Sequence, residues 1–378
     1  MTRGPRACHH TAALKRPSPR HLLAPVLLAL ATAVAAEPAP PPDTAAAVVA
    51  AALREGKVVI HAATDRAVIA PLLADFAEIY PRVVVEYHDL NTQEIHDRFL
   101  EEVAAGAPTA DLLWSPAMDL QMKLANDGFA QAYDGPEGAR LAPWAVWRNE
   151  AFGTTLEPFV FIHDRRRLPA AQVPQTHADL ARWLEARPGG RAGRVATYDP
   201  ERSAIGYLLL TQDSRIDPGF PDALRAYARA GLELHGNTAT MIDRVRSGEV
   251  ALAFNVNGSY ALLAQHEDPD LGVVYPKDYV VAASRIALIP RSAPHPSAAR
   301  VFLDYLLSRR GQQVLAERCF LFSIRTDVEG ERSAKALSAT LGARLKPIHV
   351  GPSLLVFLDR SKRSDFIRRW HGGSAPPR

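Results

Sequence analysis

The stretch TYDPERSAIGYLLL, residues 197–210, decides how the second half of this 378-residue chain is expected to fold. The stretch begins at the end of a strand-like run. A turn at Asp199-Pro200, the small residues Ser203 and Ala204 and an apolar run then follow. That order predicts a strand, a turn and a helix. The small side chains of Ser203 and Ala204 stand at the expected helix start, where they leave the backbone open to close approach.

The same alternation of strand and helix recurs along the chain. Strand-like runs at residues 57–63 and 82–90 are each followed by an amphipathic helical pattern. Pro71 is expected in the first turn of one such helix, and Asn91 is expected to cap the next. Strands alternating with helices predict parallel α/β sheets. The length allows about two domains of roughly 150 residues each.

The first 36 residues have the pattern of a signal peptide. An apolar run, HLLAPVLLALATAVAA, ends in the small residues Val34-Ala35-Ala36. It is shorter than the ~20 residues of a membrane span, although a single uncleaved anchor is an alternative. We predict cleavage before Glu37, export to the periplasm, and a flexible lead-in over residues 37–55. The basic residues before the apolar run are Arg3, Arg6, Lys15, Arg16 and Arg20.

Charge and cysteine content exclude several classes of protein. Cleavage would remove five of the 44 basic residues and none of the 41 acidic residues, leaving a net charge of −2. A nucleic-acid partner therefore lacks electrostatic support. Cys8 would leave with the signal peptide and Cys319 would have no partner, so neither a disulfide scaffold nor a cysteine-based zinc site is expected.

Small or hydroxyl residues occupy several points where a predicted strand gives way to a helix. Ligands of open α/β sheets bind beyond the carboxyl ends of the strands, where helix N-termini offer free N–H groups. Helix capping is the alternative role for the polar residues. Arg202 and Arg285 are further candidates to pair with an anion. The predicted ligand-binding residues are Thr64, Asn91, Thr92, Trp114, Ser115, Ser203, Ala204, Asn257, Tyr260 and Tyr279.

Motifs for catalysis are missing from the sequence. It contains no G-x-S-x-G, G-x-x-x-x-G-K-[ST], H-E-x-x-H or G-x-G-x-x-G pattern. We therefore predict a protein that is not an enzyme and needs no cofactor, with a two-domain hydrolase or transferase as the alternative. No metal ligand is assigned, but a metal site stays open as a second alternative. Its candidate ligands are His61, Asp65, His88, Asp89 and His96.

Five segments of the chain carry a family likeness. They include ADLLWSPAMDLQMKLANDGF and RSGEVALAFNVNGSYAL, and they lie at residues 58–87, 110–129, 194–213, 246–262 and 289–317. In this order they resemble the extracellular solute-binding proteins of bacterial ABC importers, in the branch that holds ferric-iron and phosphosugar binders. The resemblance implies a two-lobed periplasmic-binding-protein fold with the ligand in a cleft between discontinuous lobes.

The resemblance also implies lobe boundaries and partners. The first lobe would comprise residues 56–158 plus 286–378 and the second residues 159–285, with crossing strands at EPFVFIHD and VVAASRIALIP. The protein is expected to be a monomer that delivers its solute to an ABC permease. The alternative partner is a membrane sensor kinase, because LKPIHVGPSLLVFLDRSKRSDFIRRW resembles the tail of phosphoglycerate-transport regulatory proteins.

The sequence departs from the family pattern for iron. Iron binders of this branch carry neighbouring tyrosines just after the strand that here reads VALAFN, where this chain has Asn257 and Gly258. Tyr260 alone cannot supply two phenolates. We therefore predict a small anionic organic solute as the ligand, with ferric iron or another metal as the alternative.

Export gives the first testable expectation. N-terminal sequencing of protein recovered from a periplasmic extract should begin near Glu37, because signal peptidase cleaves after small residues. Recovery of intact residues 1–36 on a cytoplasmic protein would contradict the prediction.

Overall fold

The computed structural model describes residues 44–187 and 194–372. The predicted signal peptide, residues 1–36, and its cleavage site lie outside the described residues. Within the described part of the chain, no helix is long and apolar enough to cross a membrane.

Helices and strands alternate along most of the chain. The α-helices are α1 (Ala46–Glu55), α2 (Arg66–Ile79), α3 (Thr92–Ala104), α4 (Met118–Asn126), α5 (His177–Glu185), α6 (Ala204–Ile216), α7 (Phe220–Arg229), α8 (Thr238–Arg246), α9 (Gly258–Glu267), α10 (Pro296–Leu307), α11 (Arg309–Arg318), α12 (Ala334–Leu341) and α13 (Arg360–Trp370). The strands are β1 (Lys57–Ala62), β2 (Val84–Asp89), β3 (Leu112–Ser115), β4 (Val146–Trp147), β5 (Ala151–Gly153), β6 (Glu157–Asp164), β7 (Arg194–Tyr198), β8 (Glu233–His235), β9 (Val250–Asn257), β10 (Leu271–Val274), β11 (Val280–Ala283), β12 (Ile286–Leu288) and β13 (Leu345–Pro347). Short 3-10 helices lie at Gly138–Arg140, Pro143–Ala145, Ala170–Gln172, Gly342–Arg344 and Pro352–Leu358.

The first sheet has the strand order β2-β1-β3-β12-β5-β4. Its first three strands are parallel, and β12 pairs antiparallel with both β3 and β5. Alternate residues of β1 point to opposite faces. Val58 and Ile60 join one core with Phe76 of α2, whereas Val59 packs against the other core with Ile95 of α3. Helices therefore cover both faces, as expected for a mostly parallel sheet.

The second sheet has the strand order β13-β11-β6-β9-β7-β8, and β10 pairs with β6 outside this path. β7 is parallel to both β8 and β9, while β6 runs antiparallel to β9, β10 and β11. Both β6 and β9 are buried along their whole length. These two central strands explain why EPFVFIHD and VALAFNVN lack a regular alternation of apolar and polar residues.

Two adjacent crossings take the chain from the first sheet to the second and back, before β13 joins the second sheet. One lies at residues 154–156, between β5 and β6, and the other at Ser284-Arg285, between β11 and β12. The Thr154 N–H donates to the Arg285 carbonyl over 2.9 Å, and the Arg285 N–H donates to the Thr155 hydroxyl over 2.9 Å. The return crossing at Ser284-Arg285 lies within the segment VVAASRIALIP. The outward crossing lies just before EPFVFIHD, because that segment pairs within the second sheet.

The C-terminal segment, residues 345–370, is shared between the two sheets. Its strand β13 pairs with β11, and its 3-10 helix packs on α4 beside the first sheet. Phe366 and Trp370 of α13 then enter the core formed with Phe220 of α7. The predicted boundaries assigned residues 286–378 wholly to the first lobe, whereas these aromatic contacts place α13 with the second sheet.

Two local expectations are corrected by the structure. The predicted flexible lead-in contains α1, whose Glu55 carboxylate accepts the Ser297 and Ala298 N–H groups at the start of α10. Helix α2 begins at Arg66, so Pro71 lies inside it rather than in its first turn.

Gly311 in α11 gives a test of this packing. A Cβ at this position would lie 2.0 Å from the Tyr305 carbonyl oxygen, a backbone atom that cannot rotate away. We expect Gly311→Ala to lower the free energy of unfolding by about 1–3 kcal/mol or more, measured by chemical denaturation. Gly351→Ala is the control, because nothing lies within 4 Å of its Cβ position. Equal stability of the two variants would contradict the expectation.

Candidate functional site

A cleft of about 440 Å³ opens where the two sheets present the ends of their parallel strands. The segments that follow β1, β2 and β3 enter it from the first sheet, and residues at or after the ends of β7, β8 and β9 enter it from the second. Its lining residues are Ala63, Asp65, Asp89, Leu90, Asn91, Thr92, Glu94, Pro116, Phe159, Tyr198, Ile205, Gly236, Asn237, Thr238, Ala239, Thr240, Asp243, Asn257, Tyr260 and Arg285.

Four helices begin at this cleft, namely α2, α3, α8 and α9. Three of their cap residues, Asn91, Asn237 and Asn257, accept N–H groups from the first turns of their own helices. The fourth cap residue, Asp65, makes no such hydrogen bond. Each helix N-terminus retains unpaired N–H groups and about half a positive charge. The backbone therefore makes a positive contribution to the electrostatics of the cleft.

The side chains contribute mostly negative charge. Asp65, Asp89, Glu94 and Asp243 line the cleft, against Arg285 as the basic side chain among the described lining residues. The Glu94 carboxylate accepts the Asn91 N–H, which completes a capping box. Burial, together with the nearby charge of Asp65, raises the pKa of Asp89.

Arg285 and Glu157 form a buried ion pair at the base of the cleft. Both residues are 2% exposed. Arg285 Nε lies 2.7 Å from Glu157 Oε1 and Arg285 Nη2 lies 3.3 Å from Glu157 Oε2, so the pair is bidentate. Burial opposes the positive charge, but the Glu157 carboxylate outweighs it and raises the pKa of Arg285.

The ion pair connects the crossings to the ends of three strands. Arg285 Nη1 donates to the Ala63 carbonyl over 2.8 Å and to the Thr64 hydroxyl over 2.7 Å, just beyond β1. Glu157 opens β6 and accepts from Asn257 Nδ2, at the end of β9, over 2.7 Å. Asn257 in turn caps α9. Because each partner is satisfied within the protein, the network fixes the floor of the cleft.

Four of the predicted ligand-binding residues line the cleft: Asn91, Thr92, Asn257 and Tyr260. Thr64 and Ser115 are buried just behind it, where Thr64 accepts from Arg285 and Ser115 accepts the Ala117 N–H.

Trp114 and Tyr279 belong to the protein interior instead. Trp114 is fully buried and its indole N–H donates to the Thr154 hydroxyl over 2.8 Å, at the crossing. Tyr279 stacks on His177 with ring centroids 4.1 Å apart and donates to Asp213. Neither side chain lines the cleft, because Trp114 of β3 packs in one core and Tyr279, which directly precedes β11, packs in the other.

Residues 203–206, in the stretch TYDPERSAIGYLLL, form the capped start of α6. The Ser203 hydroxyl accepts the Gly206 N–H and is 2% exposed, and Ala204 packs with Ala117 and Leu120. Ile205 is the residue of this turn that reaches the cleft. A Cβ on Gly206 would lie 2.4 Å from Tyr198 Cβ, so close packing explains the small residues here.

The turn after β8 also reaches the cleft, although none of its residues was predicted to bind the ligand. Gly236, Asn237, Thr238 and Thr240 line the cleft, and Thr238 is hydrogen-bonded to the Tyr198 hydroxyl. The signal was present, because HGNTAT repeats the Asn-Thr pair that marks residues 91–92. The strand before it has three residues, too short to be recognised from its pattern.

The candidate metal ligands do not converge. Asp65 and Asp89 line the cleft, whereas His61 and His96 are buried beneath it and His88 pairs with Glu86 over 3.0 Å. Burial, then the charge of Arg98, lowers the pKa of His61 to about 4. Among the described residues, no group of three or more His, Cys, Asp or Glu could hold a metal ion.

Residues 71–339, more than two thirds of the chain, match the family of bacterial extracellular solute-binding proteins. The chain belongs to this family. A crystal structure of the substrate-binding protein of an ABC transporter from Agrobacterium tumefaciens is 37% identical, with a TM-score of 0.79, and covers 84% of this chain and 93% of that one. The predicted family and its two-lobed α/β fold are therefore confirmed.

More distant solute-binding proteins share the fold. The fructose-6-phosphate-bound periplasmic binding protein AfuA from Actinobacillus pleuropneumoniae is 18% identical (TM-score 0.68), covering 83% of this chain and 97% of its own. Iron-bound HitA from Pseudomonas aeruginosa is also 18% identical (TM-score 0.66), covering 84% and 98%. A curated relative, the phosphoglycerate transport regulatory protein PgtC of Salmonella typhimurium, is 27% identical over 218 residues, 56% of this chain. The match spans about half (53%) of that relative's length.

The buried ion pair of this solute-binding protein gives a stability test. Arg285→Met or Glu157→Gln alone should lower the free energy of unfolding by about 3–5 kcal/mol, because each leaves a buried charge unpaired. The double variant should lose clearly less than the sum of the two.

Chemical denaturation measures all three variants. Arg182→Gln, in the exposed pair with Asp179, is the matched control and should change stability by less than about 1 kcal/mol. Additive losses at Arg285 and Glu157 would show that the two charges do not depend on each other.

Proposed function

We propose that this chain binds a small hydroxylated organic anion in the cleft, leaves it chemically unchanged, and delivers it to the membrane subunits of an ABC importer. The observation that carries the proposal is the meeting of four helix N-termini at one cleft in a member of a solute-binding family. The volume of about 440 Å³ suits a small molecule.

The backbone supplies the attraction for an anionic group. Free N–H groups at the starts of α2, α3, α8 and α9 suit a phosphate or a carboxylate. Arg285 adds a guanidinium nearby, but its two carboxylate contacts to Glu157 leave little of its charge for a ligand. The backbone N–H groups at these helix starts therefore provide most of the recognition of the anion.

The four carboxylates of the cleft limit which other chemical groups the ligand can carry. Asp65, Asp89, Glu94 and Asp243 accept hydrogen bonds from hydroxyl groups, and they repel a ligand with several negative charges. A sugar carrying one phosphate or carboxylate satisfies both demands. Such a ligand is closer in chemistry to the fructose-6-phosphate bound by one structural relative than to a small acid that carries both a phosphate and a carboxylate.

Ferric iron fits the cleft less well. Burial raises the pKa of Tyr198 to about 12 and raises that of Tyr260 above its usual range, so neither phenol ionises easily. Hard ferric iron requires anionic oxygen ligands. The two phenols also have other partners, since Tyr198 is hydrogen-bonded to Thr238 and Arg285 lies over the Tyr260 ring at 5.9 Å.

The route and partner follow from family membership. We propose that the protein is exported by the predicted signal peptide and acts as a monomer in the periplasm. Delivery to a permease is favoured because the solved relative at 37% identity belongs to an ABC transporter. Presentation of the solute to a membrane sensor kinase is the alternative, motivated by the regulatory name of the Salmonella relative.

A ligand screen tests the proposal. Thermal shift followed by titration calorimetry should show that hexose or pentose monophosphates bind more tightly than 3-phosphoglycerate. Ala239→Trp, which places an indole in the cleft from an exposed position on α8, should weaken this binding by at least about a hundredfold. Ala70→Trp on α2 is the control, because Ala70 is exposed and does not line the cleft.

Each alternative has its own outcome in the same screen. Tight binding of ferric iron with a visible absorption band that is lost in Tyr260→Phe would replace the organic anion by the metal. Release of a chemically altered sugar phosphate would show an enzyme. Equal binding by Ala239→Trp and the unmodified protein would move the ligand out of the cleft.

A further inference from the structure

A second cavity, of about 370 Å³, lies between the last turns of α6 and the C-terminal segment. It is lined from α6 by Gln212, Arg215 and Ile216, which share one face of the helix at i, i+3 and i+4 spacing. The opposite wall comes from β13 and the residues after it, including Lys346 and His349. This C-terminal wall lies beyond residue 339, where the family match ends.

The lining of this cavity is basic. Arg215, Lys346 and His349 line it, and no carboxylate does so among the described residues. Arg215 donates to the Ser353 carbonyl over 3.2 Å, which ties α6 to the C-terminal segment. Within residues 44–187 and 194–372, the Lys346 side chain forms no hydrogen bond or ion pair. Two permanent cations thus face one cavity without a counter-charge in its wall.

Gln212 is the second observation that indicates a ligand. Its side chain lines the cavity although the residue is only 9% exposed. Its amide has two N–H donors and a carbonyl acceptor, and it hydrogen-bonds to no described residue. The Gln212 amide therefore has donors and an acceptor that an occupant of the cavity can use.

The two acidic residues of the chain next to Gln212 and Ile216 make hydrogen bonds outside the second cavity. The Asp213 carboxylate accepts from the Tyr279 hydroxyl over 3.1 Å and is buried on another face of α6. The Asp217 carboxylate accepts the Gly219 N–H over 2.8 Å. Neither lines the cavity, so neither neutralises Arg215 or Lys346 there.

We propose that this second cavity is a binding site for a small oxyanion, a phosphate or a carboxylate, separate from the cleft. Arg215 and Lys346 supply charge-assisted hydrogen bonds, and the Gln212 amide supplies a neutral donor at the buried end. The volume lies at the low end of the range for small-molecule pockets, about 300–1,000 Å³. A ligand held there joins α6 to the C-terminal segment.

The test uses the Ala239→Trp protein, in which the cleft is filled, so that binding in the cleft does not contribute. Calorimetric titrations with inorganic phosphate and with citrate decide between the two oxyanion chemistries, and the tighter probe identifies the class. Binding should weaken as sodium chloride is raised, because both cations are exposed. Absence of binding by both probes at low salt would overturn the proposal, whatever the cleft binds.

Site-directed variants test whether the oxyanion binds in the second cavity. Arg215→Gln and Lys346→Gln should each weaken it by about tenfold or more, and Gln212→Leu by less. Arg202→Gln is the control, because Arg202 is an exposed arginine of the same lobe outside this cavity. Unchanged melting temperatures of the Arg215 and Lys346 variants would exclude unfolding as the cause. Equal losses in the control and the cavity variants would show non-specific charge attraction and reject the site.

Discussion

The bidentate pair between Arg285 and Glu157 is the interaction on which the arrangement of the two lobes depends. Both groups are almost fully removed from water, which costs several kcal/mol per ion unless geometry and further hydrogen bonds compensate. Here the compensation comes from Thr64, Thr155 and Asn257, which belong to different strand ends or crossings. The pair can therefore form only when both sheets are in place.

This constraint also shapes the chemistry of the cleft. A buried arginine below a ligand site would ordinarily be expected to hold an anion, but Glu157 already accepts from Nε and Nη2 of this guanidinium, and Ala63 and Thr64 accept from Nη1. What reaches the cleft is the polarity of the helix starts, set against four carboxylates. The ion pair of Arg285 and Glu157 thus stabilises the arrangement of the two sheets, whereas backbone amides and the acidic and hydroxyl side chains face the cleft.

The two cavities differ in the sign of their charge. The cleft carries four carboxylates, whereas the described lining of the second cavity has none and includes Arg215 and Lys346. Most of the cleft lining lies within the family match, with Ala63 and Asp65 just before it, whereas one wall of the second cavity lies beyond the end of the match. The C-terminal segment touches α4 on the first lobe and α7 on the second. An anion bound by Arg215 and Lys346 would therefore lie beside a segment that connects the two lobes in addition to the two crossings.

The sequence by itself determined the family, the two α/β units and most element boundaries. The capping box at Asn91 and the cap at Asn257 were readable because local side-chain to backbone hydrogen bonds depend on near neighbours in the chain. Four cleft residues followed from these local signals. Local pattern could also identify Ser203 as a cap residue, but it could not decide between a cap and a ligand contact.

Only the tertiary structure decided which strand-end residues meet. Trp114 lies near the end of a strand, as several cleft residues do, yet it points into a core because successive residues of a strand face opposite sides and the fold decides which side is buried. Tyr279, which precedes β11, is likewise placed in a core by packing. The partner of Arg285 lies 128 residues away in sequence, and the wall opposite Gln212 lies in the C-terminal segment. Contacts of this range are fixed by packing between elements, which no short stretch of sequence encodes.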